Sequence, residues 1–261
     1  MSTKSEVLII GYGTVGHNLA EELSALKKRA PIAITDKYKL YAENLNADGK
    51  YKFGFVCVDT PLVKNEDGEL TLDVTEVKNA ILENDCELYI IKSTCPVGTV
   101  EKFKIETGKR IVFSPEYYGG TQHCNNFEFD FTIVGGDKND CVEVVQLLQN
   151  VYDGRHQFRI TDSKTAEMVK FMENSWLATK VSFCCSFAKT ANMFDVNYEE
   201  LRELFVLDPR VNPSHTFVYK DRPYFDSHCL NKDVPAIAAQ GQNEFLKNIL
   251  KINEKEKKRF E

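Results

Sequence analysis

Several things are scarce or missing in this chain, and each absence narrows its chemistry. Its eight cysteines (57, 86, 95, 124, 141, 184, 185 and 229) include no C-x-x-C pair and no Cys/His spacing of the zinc-site kind. They fall within strand-like or helix-like runs rather than framing small loops, which argues against a disulfide scaffold or a structural metal. We expect reduced, mostly buried and inert thiols in a cytoplasmic setting. No run approaches the ~20 apolar residues of a membrane helix. The apolar run near the N-terminus, Val7 to Ile10, is too short for a signal peptide and reads as a strand. Positive charge is not in excess: 33 Lys and Arg face 39 Asp and Glu, a net charge of −6, so no nucleic-acid surface is indicated. Internal repeats and low-complexity segments are absent. What remains is an ordinary globular composition, 43% hydrophobic and 28% charged over 261 residues, enough for a large core and one or two domains.

The most informative stretch is residues 7 to 36. Val7-Leu8-Ile9-Ile10 runs into Gly11-Tyr12-Gly13-Thr14-Val15-Gly16, a helix-like segment follows over His17 to Lys28, and Ile32-Ala33-Ile34-Thr35 ends at Asp36. This is strand, glycine turn, helix, strand, acid. Gly11 permits the tight turn, Gly13 lets backbone approach a pyrophosphate, and Gly16 lets helix pack on strand. The helix N-terminus offers free N–H groups and positive potential to phosphates. Asp36 accepts from ribose hydroxyls and repels a 2′-phosphate, so the expected cofactor is NAD rather than NADP.

Further apolar runs at Phe53–Val58, Leu88–Ile91, Arg110–Phe113 and Phe131–Val134 alternate with helix-like segments such as Val74 to Glu83 and Asn139 to Val151. The alternation predicts a Rossmann-like, doubly wound parallel sheet over residues 1–158. Strand ends at Asp59-Thr60-Pro61, Ser93-Thr94-Cys95-Pro96 and Ser114-Pro115-Glu116 suit ligand-facing loops. From Ser163 the period becomes helical, giving a smaller all-helical domain over 159–261. A long, largely buried helix is expected to about Met193, capped by Asp162 or Ser163. A second helix is expected near Asn197, then a proline-interrupted stretch from Asp208 to Asp226. A last helix is expected from about Asp233, running out in a solvated, charged end over Lys247 to Glu261.

Two constellations carry chemistry. Lys170 and Asn174 are one turn apart on the long helix. They read either as a snorkelling surface lysine with a polar neighbour or as a cation and an amide reaching a substrate. Cys229-Leu230-Asn231-Lys232-Asp233 leads a helix, where N-terminal potential and Lys232 favour the reactive thiolate. Its bland reading is one more buried cysteine, with Asp233 a helix cap. Glu116, if partly desolvated, is a candidate general base. Thr94 is a candidate to hold a water or a ribose hydroxyl. His215 and His228 read as loop histidines.

Together these residues resemble the UDP-glucose/GDP-mannose dehydrogenase family, in order and over nearly the whole chain. Gly11-Tyr12-Gly13-Thr14-Val15-Gly16 resembles its opening, and Cys57-Val58-Asp59-Thr60-Pro61 its V-x-T-P turn. Lys92-Ser93-Thr94-Cys95-Pro96-Val97-Gly98-Thr99 resembles its S-T-x-P-V-G-T loop, and Ser114-Pro115-Glu116-Tyr117 its N-P-E-F segment. Ala166-Glu167-Met168-Val169-Lys170 with Asn174, Ala178 and Lys180 resembles its long helix. Asp208-Pro209-Arg210-Val211 and Cys229-Leu230-Asn231-Lys232-Asp233 resemble its D-x-R-I and C-x-P-K-D elements. The resemblance implies NAD-dependent oxidation of a nucleotide sugar, UDP-glucose to UDP-glucuronate in the first instance, by two hydride transfers. Cys229 would be the nucleophile, Lys170 would stabilise oxyanions, and Asn174 would hold the sugar. Asp233 and Thr94 would position a water, and Glu116 would serve thioester hydrolysis. Val58, Thr60, Ser93, Thr94 and Lys232 would lie near the dinucleotide. The apolar long helix, for its part, suggests a homodimer through the second-domain helices.

The chain also departs from the family. Its third, nucleotide-gripping domain is expected to be lacking. The glycines before the family's cysteine are here Phe225-Asp226-Ser227-His228, and the proline of C-x-P-K-D is Asn231. The second acid after P-E-F is replaced at Gly120, an Asn-Glu pair becomes Cys185-Ser186, and a basic residue expected after Asp36 falls near Tyr41. The segment between Gly49 and Phe53 is short. Two other readings stay open: a 3-hydroxyacid dehydrogenase-like enzyme, which would not need Cys229, and a non-catalytic NAD-binding remnant.

Overall fold

In the computed structural model, which describes residues 4–28, 30–118 and 129–260, the first strand–helix–strand unit forms as its pattern requires. β1 (Val7–Ile10) pairs in parallel with β2 (Ile32–Asp36), Val7 opposite Ile32 and Ile10 opposite Thr35. The connecting helix α1 (Thr14–Glu22) is shorter than expected and tightens into a 3-10 stretch, Leu23–Lys28. The chain then adds β3 (Tyr41–Glu43), β4 (Lys50–Val56), β5 (Leu62–Lys64) and β6 (Leu70–Leu72). α2 (Thr75–Glu83), β7 (Asp85–Ile91), α3 (Thr99–Thr107), β8 (Arg110–Phe113), β9 (Phe131–Gly135), α4 (Lys138–Leu148) and β10 (Gln157–Thr161) complete the α/β part. The helical part is α5 (Ser163–Asn192), α6 (Tyr198–Phe205), α7 (His228–Gln240) and α8 (Glu244–Lys257). Cys124 and Gly120 lie outside the described residues.

Eight strands form one sheet in the order β10-β9-β8-β7-β4-β1-β2-β3. The order reverses about β1, whose neighbours are β2 on one side and β4 on the other, and this is the switch point where open α/β sheets bind ligands. The sheet is mixed rather than purely parallel: β3 returns antiparallel on β2, and β8 meets β9 antiparallel. Strand residues alternate between two apolar layers. Ile9, Phe55 and Ile90 pack with Leu19 and Leu23 and with Cys141 and Val144 of α4. Leu8, Val56 and Ile91 pack with Val77 and Ile81 of α2 and Val100 and Phe103 of α3. Helices on both faces make the architecture doubly wound.

The chain divides into two compact units. The first holds residues 1–61 and 72–170, the second 62–71 and 171–261. The division falls inside α5, later than the change of period at 158. The second unit is not all helical, because β5 and β6 form a two-stranded ribbon that belongs to it. Two further expectations about this unit are corrected. The last helix does not begin at Asp233, since α7 starts at His228 with Ser227 as its cap. Nor is the charged end frayed: Leu246, Ile249, Asn253 and Glu256 of α8 share a buried stripe, so alternating charges disguised an amphipathic helix. The long helix is buried on one side only. Met168, Met172, Trp176, Phe183 and Phe187 are all exposed. Among the described residues, no helix is long and apolar enough to cross a membrane.

One buried carboxylate fixes the start of α3 in the first unit. Glu167, fully buried on α5, accepts the backbone N–H groups of Gly98 (2.6 Å) and Val100 (2.9 Å). Burial pushes its carboxyl up to about 7 from 4.5, against the pull of those two donors. The native state therefore holds this proton more tightly than the unfolded chain. The resulting stabilisation is complete below pH 4.5 and is lost as pH rises through 7, about 3 kcal/mol in all. Thermal melts of the wild type and Glu167→Gln at pH 5 and pH 8 check this. The advantage of the wild type should shrink by several degrees at the higher pH; an advantage independent of pH contradicts it.

Candidate active site

The glycine turn is shaped by close contacts that no side chain tolerates. Gly11 has φ +92°, and a Cβ there would lie 2.7 Å from the carbonyl oxygen of Cys57. A Cβ on Gly16 would lie 2.0 Å from the carbonyl oxygen of Gly11, so only glycine lets α1 sit against the turn. Beside Gly13 there is open space. Gly13 caps α1 without a side-chain bond, which leaves first-turn N–H groups pointing out of the helix. Thr14 and Val15 open that helix. Asp36 ends β2 with one carboxylate oxygen on the Tyr12 N–H (2.8 Å) and the other on the N–H groups of Tyr38 (3.0 Å) and Lys39 (2.9 Å). Burial raises its carboxyl, but these donors outweigh it and hold the group below the ordinary range, hence ionised. The ring of Tyr12 stacks on Tyr41 with centroids 4.9 Å apart, and Nζ of Lys39 donates to the Tyr12 carbonyl (2.6 Å). An uncapped helix start, an open glycine and an ionised strand-end acid fit a dinucleotide.

The neighbouring strand ends of the same unit carry the polar residues expected there. The Ser93 hydroxyl donates to the carbonyl of Val58 (2.6 Å), tying the loop after β7 to the loop after β4. Thr60 and Thr94 are buried in these loops. Glu116 is buried after β8, and one of its carboxylate oxygens accepts the Tyr118 N–H (2.7 Å). Lys170 donates from Nζ to the backbone carbonyl of Glu116 (2.7 Å) and stands 5.2 Å from the Tyr117 ring centroid. The snorkelling reading of Lys170 is therefore set aside, since the ammonium is buried and directed to a strand-end peptide. Sequence reasoning gave no role to Lys92, which follows β7. It is only 9% exposed, and its Nζ meets a single hydroxyl, that of Ser114, at 3.4 Å. Burial pushes its ammonium below the ordinary lysine range, with Glu22, Cys57 and Glu116 opposing and Lys170 adding to the push. A lone buried lysine carries no motif, so only packing could reveal it.

In the second unit, the start of α7 organises a compact group. Cys229 lies in the first turn of α7, half-buried, while the other described cysteines are buried. One turn further on, Asp233 is 1% exposed. It accepts from Nδ2 of Asn174 (2.6 Å) and from Nζ of Lys232 (2.7 Å). Asp233 is thus an interior helix residue and not a cap. The residues paired by sequence separate in use: Lys170 goes to Glu116, Asn174 to Asp233. Asn231, in place of the family's proline, supplies an N–H to the Ser227 carbonyl (3.0 Å) and a side chain to Asp226 (2.7 Å). Among the described residues, no cluster of His, Cys, Asp and Glu could hold a metal.

Comparison with known proteins gives this geometry a context. Residues 164–255 match the model of the UDP-glucose/GDP-mannose dehydrogenase family, central domain. The UDP-N-acetyl-D-mannosamine dehydrogenase of Methanocaldococcus jannaschii is 30% identical over 93% of this chain and 60% of its own length. Residues 164–255 thus match the central domain of that family, and the similarity to a protein of this kind runs over nearly the whole chain. A UDP-glucose 6-dehydrogenase of Rickettsia prowazekii is 25% identical, covering 94% of this chain and 63% of that protein. The structure of a UDP-glucose dehydrogenase from Pyrobaculum islandicum superposes with a TM-score of 0.75 at 20% identity, over 97% of this chain and 68% of that one, which shows the shared fold. The chain spans about 60% of the length of these curated relatives. The buried lysine after β7 makes a stability prediction. Lys92→Met keeps the length of the side chain and removes a buried amine whose hydrogen bond is a long one to the Ser114 hydroxyl. It should raise the melting midpoint, by the equivalent of roughly 1–4 kcal/mol. A lowered midpoint would show that the ammonium stabilises the fold.

Proposed function

We propose that this chain is an NAD-dependent dehydrogenase that oxidises the primary alcohol of a nucleotide sugar to a carboxylate. The observation that carries the reading is Cys229 in the first turn of α7, one turn before an Asp233 carboxylate held by Asn174 and Lys232. A 3-hydroxyacid dehydrogenase has no use for such a thiol.

The glycine turn, with Asp36, would hold the cofactor: Gly11, Gly13 and Gly16 give the backbone its path, and Tyr12, Thr14, Val15, Val58, Thr60 and Ser93 border it. NAD, when bound, supplies the hydride acceptor. Loss of hydride and a proton from the alcohol gives an aldehyde, to which the Cys229 thiolate adds as a thiohemiacetal. A second hydride loss leaves a thioester on the sulfur. Attack by water then expels the thiolate and releases the carboxylate. Lys170 would stabilise the oxyanions formed along the way, and Asn174 would hold the sugar. Glu116 would take the proton of the attacking water, positioned by Thr94 and Asp233. The N-terminal potential of α7 would favour the Cys229 thiolate. The sugar is open between UDP-glucose and UDP-N-acetylmannosamine, since proteins named for each substrate are relatives of this chain.

The exposed stripe on α5 supports a homodimer. Met168, Met172, Trp176, Phe183 and Phe187 recur at helical spacing, and Trp176 is 61% exposed. Light scattering should give twice the monomer mass for the wild type and the monomer mass for Trp176→Glu. A wild-type monomer would set the dimer aside.

NADH formation at 340 nm tests the reaction, with NAD and a panel containing UDP-glucose and UDP-N-acetylmannosamine. Turnover of one sugar is expected, falling by a factor of at least ~1,000 in Cys229→Ser and ~100 in Lys170→Ala. Undiminished turnover in Cys229→Ser would point to a simple alcohol dehydrogenase. No turnover with NAD still bound in calorimetry would point to a binding remnant.

A further inference from the structure

The loop that leads into Cys229, Phe225-Asp226-Ser227-His228, holds none of the glycines that the resemblance leads one to expect there. In the second unit that loop is held by side chains of α8. The buried face of α8 begins apolar, Leu246 and Ile249, and turns polar at Asn253 and Glu256. A buried amide on such a stripe costs stability unless both its donor and its acceptor are satisfied. Asn253 satisfies both on one residue: its Oδ1 accepts the Phe225 N–H (2.8 Å) and its Nδ2 donates to the Phe225 carbonyl (3.0 Å). The amide thus acts as a short piece of strand partner for a stretch that has none.

The next residues continue the hold. Asp226 receives Nδ2 of Asn231 (2.7 Å) and Nζ of Lys257 (3.2 Å). The Asn231 bond, then Lys257, keep its carboxyl below the ordinary range against the effect of burial. Ser227 then caps α7, its hydroxyl accepting the Leu230 N–H (3.2 Å). α8 is itself moored, since Glu256 pairs with Lys189 of α5 and with Arg259. Every residue from Phe225 to Ser227 is therefore fixed by a named bond, and Cys229 is the second residue after the cap.

We propose that Asn253 is a positioning residue for Cys229: by binding both backbone groups of Phe225 it fixes the path of the loop, and with it the first turn of α7 in which the thiol sits. The inference rests on the reading of Cys229 as nucleophile. Its physical content is that a well-formed first turn presents its N–H groups to the sulfur, and that a loosened one does not. Glycines would leave such a loop mobile; this chain holds it with an amide from 28 residues away.

Alkylation of the full chain by iodoacetamide, followed peptide by peptide in mass spectrometry across pH 6 to 10, tests the clamp. Asn253→Leu keeps the volume of the side chain and removes both bonds. Its pH midpoint for labelling Cys229 should move up by about one unit, toward that of an unstructured cysteine. The buried cysteines 57, 86, 95, 141, 184 and 185 should stay unlabelled, which shows that the fold is intact. Lys257→Met, which removes one arm on Asp226, should give a smaller shift in the same direction. An unchanged midpoint in folded Asn253→Leu overturns the proposal, and if that variant does not fold, an unchanged midpoint in Lys257→Met does so. The readout is the thiol itself, so absence of sugar oxidation would count against the proposed reaction and leave the clamp tested.

Discussion

A carboxylate taken out of water must be met by donors, and Asp233 is the place where this requirement shapes the second unit. One of its oxygens is held by the amide of Asn174 on α5 and the other by the ammonium of Lys232 on α7. Removing either partner would leave a buried charge short of a donor, at a cost of several kcal/mol. The bond to Asn174 therefore ties α7 to α5 one turn after Cys229. The loop before it is fixed from the other side by α8.

The first unit solves a different problem with the same economy of parts. Its glycines remove side chains so that backbone can come close, at Gly11 to the strand-end carbonyl of Cys57 and at Gly16 to Gly11 itself. In that unit polar groups are met by backbone: Asp36 by three N–H groups, Ser93 by the Val58 carbonyl, Lys170 by the Glu116 carbonyl. Lys92 is the exception, a charge with one long bond to a hydroxyl. Strain of this kind collects at functional positions, where stability is traded for chemistry.

What could be read from the sequence was what depends on neighbours in sequence. Apart from β3, the strands from β1 to β9 that belong to the main sheet carry dense β-branched or aromatic runs, and the glycine turn has a spacing that few other structures need. β3, β5 and β6 escaped because three-residue strands hold too few side chains to show a period. β10 escaped because it is an edge strand with a mostly exposed pattern. α3 is nine residues long and follows directly on a loop motif, and the acceptor for its first N–H groups is Glu167, some seventy residues on. The start of α7 was set five residues late because Asp233 resembles a cap, whereas Ser227 performs that role. Of the candidate site, the pairings were not legible. Lys170 with Glu116, Asn174 with Asp233 and Asn253 with Phe225 are long-range contacts that leave no local signature.

The central claim is that Cys229 carries the sugar as a thioester between oxidation and release. Intact-protein mass spectrometry of Glu116→Gln, mixed with NAD and the accepted nucleotide sugar, tests it most directly. Slowed hydrolysis should leave a covalent adduct with the mass of the acylated nucleotide sugar, located on Cys229 by peptide mapping and missing when Cys229 is changed to serine. Continued turnover with no adduct, and with Cys229 still open to alkylation, would contradict the account.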